Sequence, residues 1–240
     1  NKFLKYLVIS LLISFPVSAE KSKLPKCKGD DYKKWTNCFA KVELPNGKYS
    51  GEWKDGLFHG KGKLQTIGLI AEGIFNNNEF IKGKKTYRDG STYEGEFKNW
   101  MSHGKGKYID PIRNHVFEGN WFEGELHGEG MMDLGFNKYT GNFNNGDREG
   151  FGEEVTYVDT PNEGKYIGEF KYDTYHGKGK ISYKDGSYQE GNFKNGFLNG
   201  KGIWSYSDGA FHKGNFIDGV INGEGEYKSS RICKINKKKI

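Results

Sequence analysis

Four histidines are the side chains of this sequence best suited to chemistry, because imidazole binds metal ions and exchanges protons near neutral pH. They are His59, His103, His127 and His176, and each is followed directly by a Gly-x-Gly pair. Residues that share one position of a two-stranded repeat would stand about 9.5 Å from their neighbours. Ligands of a single zinc ion lie much closer together than that. We therefore expect these histidines to belong to a repeat, and we predict no metal site.

The Gly-x-Gly pairs also raise the question of a phosphate-binding loop. None of them continues to the third glycine of a dinucleotide fingerprint, and no Gly-Lys-Ser or Gly-Lys-Thr of a P-loop occurs. The Asp-Gly turns lack the dense oxygen ligands of a calcium loop. Carboxylates such as Glu52, Glu96 and Glu169 recur with the same period, which is typical of a solvated face. The sequence thus predicts no catalytic residue, no cofactor and a protein that is not an enzyme.

The segments that carry these residues recur eight times along the chain. Each copy contains aromatic-x-Gly-x-aromatic or a variant of it, as in "YSGEW" at residues 49–53. The central glycines are Gly51, Gly73, Gly95, Gly119, Gly141, Gly168, Gly191 and Gly214. In seven copies a Gly-x-Gly pair begins nine residues later, whereas the second copy keeps only Gly83. These pairs are Gly60 and Gly62, Gly104 and Gly106, Gly128 and Gly130, Gly150 and Gly152, Gly177 and Gly179, Gly200 and Gly202, and Gly223 and Gly225.

The spacing within a copy predicts one β-hairpin. Tyr49, Gly51 and Trp53 alternate, so they share one face of a strand. Asp55-Gly56 then suits the positive φ of a tight turn, and the Gly-x-Gly pair lies on the returning strand. We predict an all-β fold, an elongated array of about eight antiparallel hairpins that form one long twisted, curved sheet of roughly 75 Å. Such an array is stabilised by contacts between neighbouring units and needs caps at its ends.

The apolar content of the chain is mostly aromatic, with 17 Phe, 15 Tyr and 5 Trp beside 36 Gly. Each strand glycine is expected to leave a gap on the sheet face in which a neighbouring ring lies. Regularly spaced rings form a candidate aromatic binding face that would stack on a sugar or a partner side chain. The alternative is that many of these rings are simply the core. The candidate rings are Tyr49, Trp53, Phe75, Tyr93, Phe97, Phe117, Trp121, Tyr139, Phe143, Tyr166, Phe170, Phe193 and Phe216.

Residues 1–19 have the composition of a secretory signal peptide. Lys2 and Lys5 precede an apolar run over residues 7–17, and small residues stand just before Glu20. A membrane-spanning helix is the alternative, but this proline-interrupted run is shorter than the roughly 20 residues that a bilayer requires. We predict export of the protein, either to the periplasm or as a secreted protein.

Two cysteines near the start of the exported chain predict a disulfide. In an oxidising compartment Cys27 and Cys38 would close a short loop, which contributes about 3 kcal/mol by chain-entropy arguments. Two unpaired thiols are the alternative if the chain is not exported. We assign residues 20–48 to an amino-terminal cap that contains this bridge. Cys233 lies beyond the far end of the array, too distant to pair with either cysteine.

The charge distribution argues against a nucleic-acid partner. The formal net charge is +6, but residues 228–240 hold six basic residues and no acid. Two further lysines belong to residues 1–19, so residues 20–227 carry a formal charge of −2. Duplex binding requires a broad positive face, which this body lacks. We therefore describe residues 228–240 as a basic carboxy-terminal tail and predict no nucleic-acid binding.

Three copies carry a resemblance to a known family. "YSGEWKDGLFHGKG", "YEGEFKNWMSHGKG" and "YIGEFKYDTYHGKG" resemble the MORN repeat (membrane occupation and recognition nexus), whose pattern is Tyr-x-Gly-x-Trp/Phe, a turn and His-Gly-x-Gly. The resemblance covers residues 49–227, and the lead-in is similar to that of some exported bacterial members. Ala71, Gln189 and His212 depart from the pattern at its Tyr position.

The resemblance implies an interaction module. The first hypothesis is a non-enzymatic scaffold of the cell envelope that binds a protein partner or a second copy, through the aromatic face or an exposed terminal sheet edge. The second hypothesis is binding of anionic lipid headgroups or a glycan, through the aromatic face and the Lys-rich tail.

Overall fold

The computed structural model describes residues 22–161 and 163–229, which form one 17-stranded β-sheet. The predicted signal peptide and nearly all of the basic tail lie outside these residues. In the described part of the chain no helix is long and apolar enough to cross a bilayer. The strands are β1 (Cys38–Leu44), β2 (Gly47–Lys54), β3 (Leu57–Thr66), β4 (Leu69–Asn76), β5 (Glu79–Tyr87), β6 (Thr92–Lys98), β7 (Met101–Asp110), β8 (His115–Phe122), β9 (Glu125–Asp133), β10 (Asn137–Asn144), β11 (Asp147–Thr156), β12 (Gly164–Lys171), β13 (Thr174–Tyr183), β14 (Tyr188–Lys194), β15 (Phe197–Ser205), β16 (Phe211–Ile217) and β17 (Val220–Lys228).

Each strand pairs with the next one along the chain, always antiparallel. Strands β2 to β17 therefore make eight successive hairpins, which confirms the predicted all-β array. The second copy forms its hairpin as well, from β4 and β5, although its motif is incomplete. At the first turn Asp55 and Gly56 have φ values of 51° and 76°, as the Asp-Gly signal predicts.

A ladder of glycines crosses the whole array at one level. Gly51 pairs with Gly62, Gly62 with Gly73, and the pattern continues strand by strand until Gly214 pairs with Gly225. One glycine from each strand of β2 to β17 takes part. The ladder places the bare backbone of every copy in register, so the rings beside it lie in rows.

The two faces of the sheet differ in chemistry. One face carries the rings, with Tyr166 stacked on Tyr175 at 3.8 Å between centroids and edge-on to Phe193 at 5.4 Å. The other face carries cross-strand ion pairs between neighbouring copies. These pairs are Lys63 with Glu72 at 2.9 Å, Lys107 with Glu118 at 3.0 Å and Lys180 with Glu190 at 3.0 Å. Alternation along each strand thus separates an aromatic core from a charged, solvated surface.

The two glycines of a Gly-x-Gly pair have different roles, which corrects the prediction that both make room for rings. Gly62 does so, because a Cβ atom there would lie 2.6 Å from Cζ of Tyr49. Gly60 instead sits in a β-bulge, where the register shifts so that Glu52 pairs with His59. Its φ of 62° is left-handed, a conformation that glycine adopts at no steric cost. The Glu52 carboxylate closes the bulge by accepting the Lys61 N–H at 3.2 Å.

Three charged residues, Lys85, Arg148 and Glu154, replace apolar ones inside the ring layer. Lys85 pairs with Ala71 across the ladder and lies buried over the rings of Phe97 and Trp100, at 4.9 and 5.3 Å from their centroids. Burial lowers the pKa of the Lys85 ammonium. Arg148 takes the place that Tyr175 occupies in its own copy, and it forms an ion pair with the buried carboxylate of Glu154. These residues fill space that a ring fills elsewhere.

Candidate protein-binding edge

The predicted aromatic binding face is a core in this structure. Eleven of its thirteen rings are buried, and Tyr49, Tyr93 and Tyr139 have no exposed surface at all. Only Phe117 and Trp121 are partly exposed. The rings are covered by one another and by residues that follow each turn, such as Phe58, which stacks on Tyr49 at 3.8 Å. A ring enclosed in this way offers no face to a sugar, so the glycan interpretation loses these residues.

The four histidines lie at equivalent bulges along the sheet. Three of them pair across their own hairpins with a glutamate, Glu52 with His59, Glu96 with His103, and Glu169 with His176. The ring of Phe122 stands between His103 and His127, at 5.5 and 5.8 Å from their centroids. In residues 22–161 and 163–229 no three His, Cys, Asp or Glu side chains gather as metal ligands. The histidines occupy a structural position of the repeat.

The amino-terminal edge of the sheet is covered where β1 begins. Outside β1, Phe39 donates its N–H to the carbonyl of Pro25 at 2.8 Å, and Cys27 donates to the carbonyl of Phe39 at 3.0 Å. The predicted disulfide between Cys27 and Cys38 is present and ties this extra segment to β1, with 4.9 Å between the Cα atoms. Trp35 then packs edge-on against Trp53 of the first hairpin at 5.2 Å. The start of β1 and the first rings of the array therefore have partners, whereas no described strand pairs outside residues 40–44.

The carboxy-terminal edge is open by contrast. All nine residues of β17 are exposed, and among the described residues this strand pairs with β16 alone. Its apolar side chains include Val220, at 68% exposure, and Tyr227, at 66%. Ile217 and Phe197, on the neighbouring strands, are also more than half exposed. An edge strand with free N–H and C=O groups and apolar side chains is a template for another chain.

The ring layer thins toward this open edge. His212 takes the place of the motif tyrosine and covers Gly214 and Gly225, with its Nε2 buried and lacking a hydrogen-bond partner in the described structure. Its ring meets Phe216 edge-on at 5.6 Å. Phe216 is buried, whereas the facing strand β17 contributes no buried residue. The last hairpin is thus held mainly from one side.

Two shallow depressions lie away from the edges. One of about 550 Å³ lies on the charged face and is lined by residues that include Lys178, Ile167 and Lys201. The other, of about 300 Å³, lies beside Ser102 and Trp121 where the two halves of the ring layer meet. Both are open hollows in a continuous sheet. The first gathers four lysines, Lys165, Lys178, Lys180 and Lys201, beside Glu190, whereas the second is lined mainly by rings and glycines.

Sequence reasoning did not single out Val220, Ile221 or Tyr227. A signal for them was present, because the last Gly-x-Gly strand is not followed by another aromatic-x-Gly-x-aromatic segment. The prediction of a terminal edge was general, and the structure assigns it to β17. Arg148 and Lys85 were also missed, because each is a charged residue at a position that an apolar residue fills in other copies.

An open meander of hairpins with a registered glycine ladder defines a β-hairpin repeat protein, a class whose members grow by adding units along one axis. The model of the MORN repeat matches seven segments, residues 49–66, 93–114, 117–134, 139–156, 166–188, 190–211 and 212–230. The chain belongs to the MORN-repeat family. Residues 67–92, between the first two matched segments, contain the hairpin of β4 and β5, which forms the eighth unit. A comparison with curated proteins returned no match.

Proposed function

We propose that this protein is a non-enzymatic scaffold of the cell envelope that binds another protein chain at its open carboxy-terminal edge. The observation that supports the proposal is the contrast between the two ends of one sheet. The first edge is covered at Phe39 by residues 25–27 and a disulfide, whereas β17 is exposed along its whole length. Among the described residues β17 is therefore the edge on which a further strand would find the longest uncovered backbone.

Sheet extension suits this protein as a mode of binding. Main-chain hydrogen bonds from β17 would supply affinity without requiring a pocket. Val220, Ile221 and Tyr227 add apolar contact area beside those bonds. The rigid array behind β17 holds the strand extended before a partner arrives, which lowers the entropy cost of association.

The envelope location rests on sequence and on cysteine chemistry. Residues 1–19 have the pattern of a signal peptide, and the bridge between Cys27 and Cys38 is of a kind that persists in oxidising compartments. Binding of anionic lipid depends on the basic residues after Lys228, which lie outside the described residues. That alternative stays a prediction of the sequence.

A site-specific photo-crosslinking experiment in the source cell tests this function. The photoreactive amino acid benzoylphenylalanine replaces Tyr227 on the open edge, and a matched control carries it at Tyr32, which is also exposed but lies in the amino-terminal cap. We expect discrete protein adducts from position 227 and none of the same mass from position 32. A dimer-sized adduct would identify a second copy as the partner. The absence of protein adducts at position 227, or equal adducts at both positions, would contradict the proposal.

A further inference from the structure

Strand pairing inside the array shows which kind of strand lies beside the second, or returning, strand of a hairpin. The seven returning strands from β3 to β15 each pair, on the side away from their own hairpin, with the first, or outgoing, strand of the next copy. β17 is the eighth returning strand, and its far side is unpaired in the described structure. Since it has the bulge and the glycine spacing of all the others except β5, the seven internal junctions serve as templates for its partner.

The first requirement is a small residue opposite Gly225. At all seven junctions the ladder glycine of the returning strand faces a glycine of the outgoing strand, as Gly202 faces Gly214. The outgoing glycine makes room for the motif tyrosine of its own strand, since a Cβ atom on Gly51 would lie 2.5 Å from Cζ of Tyr49. A bulky residue at this position of an incoming strand would push the first ring of that strand off the sheet.

The second requirement is an aromatic residue opposite Gly223. At six junctions the strand pairing includes the first glycine of the Gly-x-Gly pair, which lies in the bulge. That glycine faces an aromatic residue at all six. The pairs are Gly60 with Phe75, Gly104 with Trp121, Gly128 with Phe143, Gly150 with Phe170, Gly177 with Phe193, and Gly200 with Phe216. On the other side of the ladder glycine, the residue opposite Tyr227 corresponds to the motif tyrosine.

The third requirement is a basic residue opposite Glu226. At four junctions the equivalent position carries a lysine that faces a glutamate, as Lys63 faces Glu72 and Lys180 faces Glu190, and no junction places like charges there. In β17 the sign is reversed relative to those four copies, because Glu226 stands where they have lysine. Glu153 of β11 has the same reversed sign; it faces Ile167 and forms an ion pair with Lys165 of the same outgoing strand at 2.7 Å. An incoming lysine or arginine would restore the opposite-charge pair, a cross-strand contact that stabilises a sheet.

The same charges disfavour a second β17 as the occupant. Two antiparallel copies with Gly225 facing Gly225 would place Glu224 opposite Glu226 twice. Shifting the pair so that Gly225 faces Gly223 would place Glu224 opposite Glu224. Like charges directly opposite each other destabilise a strand pair, so these glutamates act against edge-to-edge dimers. Residues 230–240 do not match the template either, since they contain no glycine and no aromatic residue.

From these junctions we propose that the outer edge of β17 binds an extended segment of another protein with the pattern aromatic-basic-Gly-x-aromatic, antiparallel to β17. This inference rests on the proposed function and specifies the chemistry of its partner. The segment acts as the first strand of a ninth hairpin. Its glycine continues the ladder, its two rings lie beside Gly223 and Tyr227, and its basic side chain pairs with Glu226.

A labelled peptide with the sequence of residues 210–218 and the change His212→Tyr has this pattern, because Lys213 and Gly214 stand between two rings. Its binding to the full-length mature chain is measured by fluorescence anisotropy. We expect saturable binding, weakened about three- to tenfold by Lys213→Glu in the peptide. Gly214→Val in the peptide should abolish it, whereas Asn215→Val, the same change one residue along, should leave it within about twofold. Amide hydrogen exchange should show new protection in β17 and none in β1.

The outcomes separate this inference from the function on which it rests. The segment pattern is supported if Asn215→Val weakens binding least, Lys213→Glu weakens it more and Gly214→Val abolishes it, with protection confined to β17. If none of the peptides binds, or if Gly214→Val and Lys213→Glu leave binding unchanged, the pattern is wrong. Adducts from position 227 in the crosslinking experiment would then still support a protein-binding edge with another kind of partner. Loss of both results would remove the edge as a binding site.

Discussion

Tyr49 lies directly over Gly62 of the facing strand, so closely that a Cβ atom on this glycine would stand 2.6 Å from the tyrosine Cζ. The Tyr49 hydroxyl reaches past the glycine and donates a hydrogen bond to the carbonyl of Glu52 at 3.1 Å. Tyr93, Tyr139 and Tyr166 make the same bond to the residue three positions on. Ring, glycine and bulge therefore form one unit in these copies.

Gly62→Ala should destabilise the array, because its methyl group would push the buried Tyr49 ring off the sheet. Overpacking of this kind costs about 1–3 kcal/mol. Gly68→Ala is the matched control, since a Cβ atom there meets nothing within 4 Å. Thermal unfolding followed by far-UV circular dichroism should show a lower midpoint for the first variant than for the second. Equal midpoints would mean that the ring relaxes freely and that the ladder does not need glycine.

Arg148→Met should be strongly destabilising, because it leaves the Glu154 carboxylate buried without its cation. Removal of one partner of a buried ion pair typically costs about 3–5 kcal/mol. Lys180→Met is the control, because its pair with Glu190 is about half exposed and such pairs contribute at most about 1 kcal/mol. Adding Glu154→Gln to the first variant should recover much of the loss, as measured by urea unfolding. A small effect of Arg148→Met alone would show that Glu154 is solvated or neutral in the folded protein.

Alkaline pH should unfold the protein through its buried tyrosines. Burial raises the pKa of Tyr139 to about 12, and burial also raises the pKa of Tyr49, Tyr93, Tyr166 and Tyr175. Since the folded state holds these protons more tightly, stability is unchanged below the ordinary value of 10.0 and falls as pH rises above it. Phenolate absorbance should rise together with loss of the sheet signal. Titration of all tyrosines in a folded sheet would contradict their burial.

Loss of the disulfide should open the covered edge. Cys27→Ser with Cys38→Ser removes a bridge worth about 3 kcal/mol and frees the segment that pairs outside β1. Amide hydrogen exchange at positions 27 and 39 should accelerate, while β17 stays unchanged. The exported protein should show the linked pair in non-reducing peptide mass spectrometry. Free thiols at both positions in protein recovered from the cell would count against export as well as against the cap.

The sequence predicted the structure correctly where residues that shape a strand or a turn recur at the same spacing in each copy. The spacing of Tyr49, Gly51 and Trp53, the Asp-Gly turn after them and their eightfold recurrence predicted the hairpins, and the structure confirms them. The same holds for the bridge between Cys27 and Cys38, because short separation limits the alternatives. Gly60 was misjudged because alternation places it on the ring face, whereas a bulge re-aims the strand at that point.

The sequence by itself determined the repeat, its turns and which side chains share a face, since these depend on neighbours a few residues apart. The tertiary structure alone decided whether that face is covered. Alternation looks the same for rings that bind a ligand and for rings that bury one another, and only the stacking of Phe58 on Tyr49 from across the hairpin shows which applies. It also decided that residues 25–27 cover one edge of the sheet at Phe39, whereas β17 at the other edge has no outer partner among the described residues. Pairing across strands is a long-range property that no single strand carries.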